Sequence, residues 1–254
     1  MEEKFMQVLE KFKEVTQKEC YRIEVIEEEP SILDDKIGGK PYLPIGEEYP
    51  KDNNGDFLAL LLQVNLKNIE LEGYPNSGIL EIFTDKDVNY PCEYAVRYFA
   101  EGLEYQENLP YVDLSNYIVK EAQKIELKKD FCYMSFNDYR FASIMCPIAN
   151  EIYEANTQCY GDLEDLWKDF EWYDMFIAEI SDIRITFGGY PDFTQSDPRF
   201  DSKENMDECL FKLDSSADYN KFEIGDSGIL FALISKENIE KANFDKAIVD
   251  WDCC

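Results

Sequence analysis

Residues 2 to 19 place Phe5, Val8, Leu9, Phe12 and Val15 three or four positions apart with charged residues between them. That spacing puts the apolar side chains on one stripe and predicts an amphipathic helix packed on a body. From Tyr21 to Ile26 the pattern alternates, which predicts a strand ending at the acidic run Glu27 to Glu29 before Pro30. Phe57 to Val64 is nearly continuous in apolar residues, as expected for a strand buried on both faces. Asn76 to Phe83 reads as a second strand launched from a Pro-Asn-Ser-Gly turn, and Tyr94 to Phe99 as a third. Glu208 to Asp214, Gly228 to Ser235 and Lys246 to Trp251 have the same character, with Ser235 placed to cap a short helix after it. Between the two sets, segments 136–155 and 161–180 show helical spacing, notably at Leu163, Leu166, Trp167, Phe170, Tyr173 and Phe176. They predict at least one helix wrapped on a sheet, with Pro147 breaking the first stretch.

The two strand sets share landmarks. Gly38-Gly39 with Pro41 recurs as Gly188-Gly189 with Pro191, and Ser77-Gly78-Ile79-Leu80 recurs as Ser227-Gly228-Ile229-Leu230. Gly39 to Gly189 and Gly78 to Gly228 are both steps of 150 residues, and Leu61–Leu66 matches Leu210–Ser215 at 149. A common step over so long a stretch predicts a diverged duplication, with repeats at about residues 36–98 and 186–251. Val96-Arg97-Tyr98 and Val249-Asp250-Trp251 are then equivalent. The structural turns expected at Gly38, Gly39, Gly78, Gly188, Gly189 and Gly228 would supply positive φ or close backbone approach. These readings combine into an α+β protein forming one domain over residues 1–254. Two β-rich halves carry an N-terminal helix and helices inserted between them.

Composition narrows the function. No apolar run reaches the roughly 20 residues of a membrane-spanning helix. The N-terminal residues mix acids and lysines, unlike a signal or transit peptide, so a cytoplasmic location is expected. Eight cysteines without a C-x-x-C motif are expected to be free thiols. A net charge of −29 repels phosphate backbones and anionic lipid, which disfavours nucleic acid and membranes and favours a basic protein partner. The absence of histidine removes Ser-His-Asp and Cys-His arrangements and histidine-bearing zinc sites. Catalysis would have to use carboxylates, as in glycoside hydrolysis, or a Cys, Tyr, Lys or oxygen-bound metal. No catalytic residue, metal ligand or cofactor is therefore assigned, and the balance leans away from an enzyme.

One segment offers candidate ligand-binding chemistry. Thr194, Gln195, Ser196, Asp197 and Arg199 place a carboxamide, hydroxyls, a carboxylate and a guanidinium after a Gly-Gly turn. Arg199 could grip a carboxylate or phosphate there. Alternatively, Asp197 caps a turn and pairs with Arg199 to hold the loop in shape. Asp52, Asn54 and Asp56 alternate like a calcium loop, but the glycine falls one place early and Gln63 stands where a glutamate is needed, so a turn is expected. Asp250 and Asp252 would raise the thiol pKa of Cys253 and Cys254, which makes packing the expected role of that pair. The paired glycines lack the spacing of a phosphate loop.

At Lys36–Pro44, Leu60–Leu66, Asn76–Leu80, Gly188–Arg199 and the closing Trp-Asp-Cys-Cys, the chain resembles the YwqG-like family of bacterial proteins, a domain of unknown function. The resemblance runs from about residue 30 onward and implies a mixed fold with a largely antiparallel sheet and internal duplication. It implies no established activity. The first half lacks the Thr-Gln-Ser-Asp-Pro-Arg tail, so any function of that tail belongs to the second half alone. The expected function is a non-catalytic binding protein, of immunity or regulatory type, recognising a basic partner. The alternative is a small-ligand-binding protein or histidine-independent enzyme using a cleft near Gly188–Arg199.

Overall fold

The computed structural model describes residues 2–86, 92–100, 102–167, 170–200, 205–217, 222 and 224–253, with the backbone alone at 160, 164, 167 and 170–173. The N-terminal stripe forms a helix over Glu2–Thr16 (α1), which buries Phe5, Val8, Leu9 and Phe12 and leaves Val15 exposed. Strands follow at Lys18–Ile26 (β1), Lys36–Ile37 (β2), Ala59–Asn65 (β3), Ile79–Thr84 (β4), Tyr94–Phe99 (β5) and Gln123–Cys132 (β6). The second set is Thr186–Gly188 (β7), Glu208–Asp214 (β8), Ile229–Ile234 (β9) and Ile248–Asp252 (β10). All ten lie in one sheet ordered β10-β9-β8-β7-β1-β6-β2-β3-β4-β5, and each neighbouring pair is antiparallel.

The connectivity crosses at the centre. β1 precedes β2 to β5 in the chain yet pairs with β7, while β6 precedes β7 to β10 yet pairs with β2. Each outer run of four strands therefore attaches to the middle through the strand that leads the other run. β1 and β6 join in a continuous register from Lys18 opposite Cys132 to Ile26 opposite Lys124. Within it Glu24 faces Glu126, a like-charge pair that Lys128 offsets by bonding Glu24 and lying 3.6 Å from Glu126.

The outer runs are built alike. Both β3 and β8 carry a β-bulge, at Leu61 and Leu210, against the adjacent β4 and β9. The extra residue turns two successive side chains inward, so Leu61 with Leu62 and Leu210 with Phe211 all enter the same core. Leu66 N–H donates to Gly78 O at 2.8 Å, and Ser215 N–H to Gly228 O at 3.1 Å. At the free edge, β5 lies against the 3-10 turn Phe244–Lys246 that leads into β10, with the Tyr98 and Phe244 rings 5.3 Å apart. The sheet thus curls into a nearly closed barrel around Ile23, Ile37, Leu80, Phe187, Leu230 and their neighbours.

Helices Phe141–Tyr153 (α2), Tyr160–Trp167 (α3) and Phe170–Ile180 (α4) follow β6, and Lys236–Glu240 (α5) follows β9 with Ser235 as its cap. α1, α2 and α4 build a separate core in which Phe12 sits 5.3 Å from Phe141 and 5.4 Å from Phe176. The side chains of Trp167, Phe170 and Tyr173 lie outside the described residues. Pro147 does not break the first helical stretch but stands inside α2. Both Pro147 and Ser143, whose carbonyl loses its bond, face solvent, so the freed acceptor is not sealed in the core. Burial of Phe141, Met145, Ile148 and Ala149 on the other face offsets the remaining cost of about 3 kcal/mol.

A polar row crosses the outward face of the first run: Lys36, Gln63, Glu81 and Arg97 are cross-strand neighbours. The second run places Thr186, Lys212, Phe231 and Asp250 there. Glu81 is fully buried, and neither carboxylate oxygen has a hydrogen-bond partner. The Tyr42 N–H beside it donates to Gln63 Oε1 at 2.8 Å. Burial pushes the Glu81 carboxyl up to about 8, while burial lowers the Lys36 ammonium to about 8.

Between the ordinary glutamate value of 4.5 and about 8, folded Glu81 holds a proton that the unfolded chain releases. Its contribution to stability therefore falls as pH rises through that window. Lys36 departs from its unfolded behaviour only above about 8, outside the window. Glu81→Gln should match the wild type near pH 5 and exceed it by a few kcal/mol near pH 8. Thermal unfolding across that range checks this; parallel pH curves for the two proteins would show that Glu81 stays ionised in the fold.

Candidate functional site

The segment after β7 starts with Gly188 and Gly189 at φ 75° and 86°, matching Gly38 and Gly39 at 72° and 80°. A Cβ on Gly189 would stand 2.6 Å from Cys132 Sγ and 2.9 Å from Cys20 Cβ, so both conformation and space select glycine. Gly78 combines a φ of 100° with close approach, and Gly228 serves close approach alone: a Cβ on each would lie 2.7 Å from Phe99 O and 2.5 Å from Asp252 O, respectively. The left-handed residue of the second turn is Ser227, not Gly228.

Past the Gly-Gly turn the chain is pinned from two sides. The Asp252 carboxylate at the end of β10 accepts from Thr194 N–H and Gln195 N–H at 3.1 Å, and Gln195 Nε2 donates to Cys253 O at 2.6 Å. Cys253 is a half-buried free thiol, and Cys254 lies outside the described residues. On the inner side, Arg199 Nε donates to Asp197 Oδ1 at 2.9 Å and its Nη2 to Asp197 Oδ2 at 2.6 Å. The same Nη2 reaches Asp138 Oδ2 at 2.8 Å, in the turn before α2. Asp197 also accepts from Tyr139 N–H at 2.9 Å, and Arg140 binds Asp138 through Nε and Nη2. The Arg199 guanidinium lies 5.2 Å from the Tyr139 ring centroid and 5.5 Å from that of Phe193.

This network is buried. The side chains of Asp138, Asp197 and Arg199 are 0%, 2% and 3% exposed. Burial opposes ionisation of Asp138, but the Arg140 hydrogen bond and the Arg199 charge outweigh it and hold its carboxyl below the usual range. Of the four tentative ligand residues, Asp197 and Arg199 are turned into this lock. Gln195 and Ser196 face an open hollow of about 420 Å³, shared with Pro198, Phe231, Trp251 and Asp252. A smaller hollow of about 230 Å³ lies by Gly188 and Gly189, lined by Tyr74 and the ion pairs Lys18–Glu208 and Lys236–Glu72. The larger hollow offers the Gln195 carboxamide and Ser196 hydroxyl beside the carboxylates of Asp250 and Asp252, and no guanidinium.

The sequence reading missed Asp138 and Arg140, although a signal was present. Asp-x-Arg occurs at Asp138–Arg140, Asp182–Arg184 and Asp197–Arg199, and in each the arginine bonds the aspartate two residues before it. It also passed over Glu81 and Lys212, lone polar residues inside apolar strand runs, and weighed Gln63 only as a mismatch to a calcium loop.

Removing Arg199 would leave two carboxylates buried side by side. Arg199→Ala is expected to cost about 3–5 kcal/mol, read as a lower midpoint in denaturant or heat. Gln195→Ala, at the exposed end of the same segment, should change stability by no more than about 0.5 kcal/mol. Equal effects of the two substitutions would show that the buried lock does not hold this loop.

Residues 35–253 match a family described as a domain of unknown function, DUF1963. No curated protein matches the chain. With the match covering β2 to β10, every strand but β1, and the Gly188–Arg199 segment, the chain belongs to the DUF1963 family.

Proposed function

We propose that this protein is a non-catalytic binding protein of the cytoplasm that captures a basic polypeptide, in the manner of an immunity or regulatory protein. The observation that carries the reading is how the chain uses its cations. Against 54 acidic residues it has 25 basic ones, and most described lysines and arginines already sit in intramolecular ion pairs or over aromatic rings. The surplus of −29 is therefore carried by surface carboxylates without a cation of their own. Such a field raises the encounter rate with a basic partner and repels anionic ones.

Among the described residues, no helix is long and apolar enough to cross a membrane. The crossed attachment of β1 and β6 supports reading the chain as one domain. The matched bulges of β3 and β8 support descent of the two outer runs from one duplicated unit. The YwqG-like resemblance is consistent with membership of the DUF1963 family. A second reading, a small polar ligand held at the Gln195–Ser196 hollow, rests on the cavity there.

Immobilised protein incubated with cytosol of its own source should retain proteins rich in Lys and Arg. They should elute as salt rises, because the screening length shrinks from about 10 Å at 0.1 M to about 3 Å at 1 M. Retention that is indifferent to salt, or confined to acidic proteins, would remove this reading and leave the hollow as the better candidate.

A further inference from the structure

We infer that the basic partner is gripped at an apolar groove on the first outer run, through a segment carrying a large apolar side chain flanked by Lys or Arg. This rests on the proposed function above and assigns it a place. The groove measures about 330 Å³. Its floor includes Ala59 and Leu60 of β3, and its walls come from Pro41 and Tyr49 and from the irregular stretch Leu109 to Leu114. Tyr111, also in its lining, is 84% exposed, the most exposed of the large hydrophobic residues described.

The apolar surface continues beyond the groove. Leu109 packs in the same cluster as Tyr42, whose ring lies 5.7 Å from that of Tyr105. Pro44 bridges to Tyr105, and Ile45 N–H donates to Glu104 O at 2.8 Å, which brings two further exposed side chains to this end, Ile45 at 64% and Leu103 at 46%. Scattered exposed hydrophobics are ordinary on a protein surface; a contiguous patch beside a cavity marks an interaction site.

Charge selects the occupant. Glu48, Glu107 and Asp113 are exposed in the segments that form the walls, where Glu47 already pairs with Arg97 at 4.0 Å, while Lys40 is the cation lining the groove. A second copy would bring −29 against −29, and an anionic membrane would be repelled in the same way. A basic segment meets no such barrier: its apolar side chain fills the groove and its flanking cations meet the acidic rim. Interfaces of this kind take their energy from a buried anchor, with the rim charges setting encounter rate and partner choice.

The test uses three fluorescent peptides with the intact protein at low salt, read by anisotropy. One is lysine-rich with a central tryptophan, one has alanine in its place, and one carries glutamates for the lysines. The tryptophan peptide is expected to bind about 10-fold or more tighter than the alanine peptide, the return on burying one aromatic anchor. Tyr111→Ala, exposed and harmless to the fold, should erase that difference, whereas Met175→Ala, at an exposed position of α4, should not. If the two lysine peptides bind equally and Tyr111→Ala changes nothing, the groove is overturned while the basic-partner reading stands. If no lysine peptide binds, both fall. A dimer detected by light scattering that Tyr111→Ala dissolves would overturn the proposal in favour of a second copy of the chain.

Discussion

The pairing of β1 with β6 is the constraint on which the rest of the molecule depends. Those strands fix each other's register and then offer their outer edges, β1 to β7 and β6 to β2. Since each outer run is attached through the other run's leading strand, neither run completes its sheet alone. The bulges at Leu61 and Leu210 then drive paired side chains into one shared core, and the curl that brings β5 against the turn before β10 leaves little free edge. The helices sit on this frame with a core of their own.

Electrostatics divides between inside and outside. Buried and half-buried arginines and lysines are spent on fixing loops: Arg199 ties the segment after β7 to the turn before α2, the half-buried Arg184 ties Asp182 to Asp130, and Lys212 holds the Asp182 carbonyl. Each is costly to bury and needs its partners, which is why the carboxylates appear in sequence beside them. What remains for solvent is overwhelmingly acidic. Glu81 breaks the pattern, since it is buried without a hydrogen-bond partner where the second run has Phe231, so the carboxyl is no requirement of the strand arrangement itself.

Much of the strand content was legible because barrel strands bury both faces. Phe57–Val64 reads as a nearly continuous apolar run and Ile229–Ile234 as an unbroken one for that reason. β6 escaped notice because it alternates only at Ile125 and Leu127 and otherwise carries lysines and acids on an exposed side. β2 and β7 are too short to show a period. Residue order alone could not place β1 beside β7, since pairing across such a separation is decided by the whole sheet. At the candidate site, Asp197 and Arg199 were recognisable as polar neighbours, and both of the readings open for them were chemically sound. Burial against Asp138 favours the loop-holding reading, and burial is a property of the assembled loops.

The crossed attachment also sets the order in which a growing chain can fold. When Ile26 leaves the ribosome, β1 has no partner: β6 begins at Gln123 and β7 only at Thr186. At typical rates of about 5–20 residues per second, the first strand waits on the order of ten seconds with both edges open. During that interval β3, β4 and β5 can already pair as a meander, but their inner face lacks the second run that buries it. The protein is thus held open by its own topology until synthesis is well advanced, and its acidity serves it then as well. Nascent chains of like charge repel one another while their strands remain exposed.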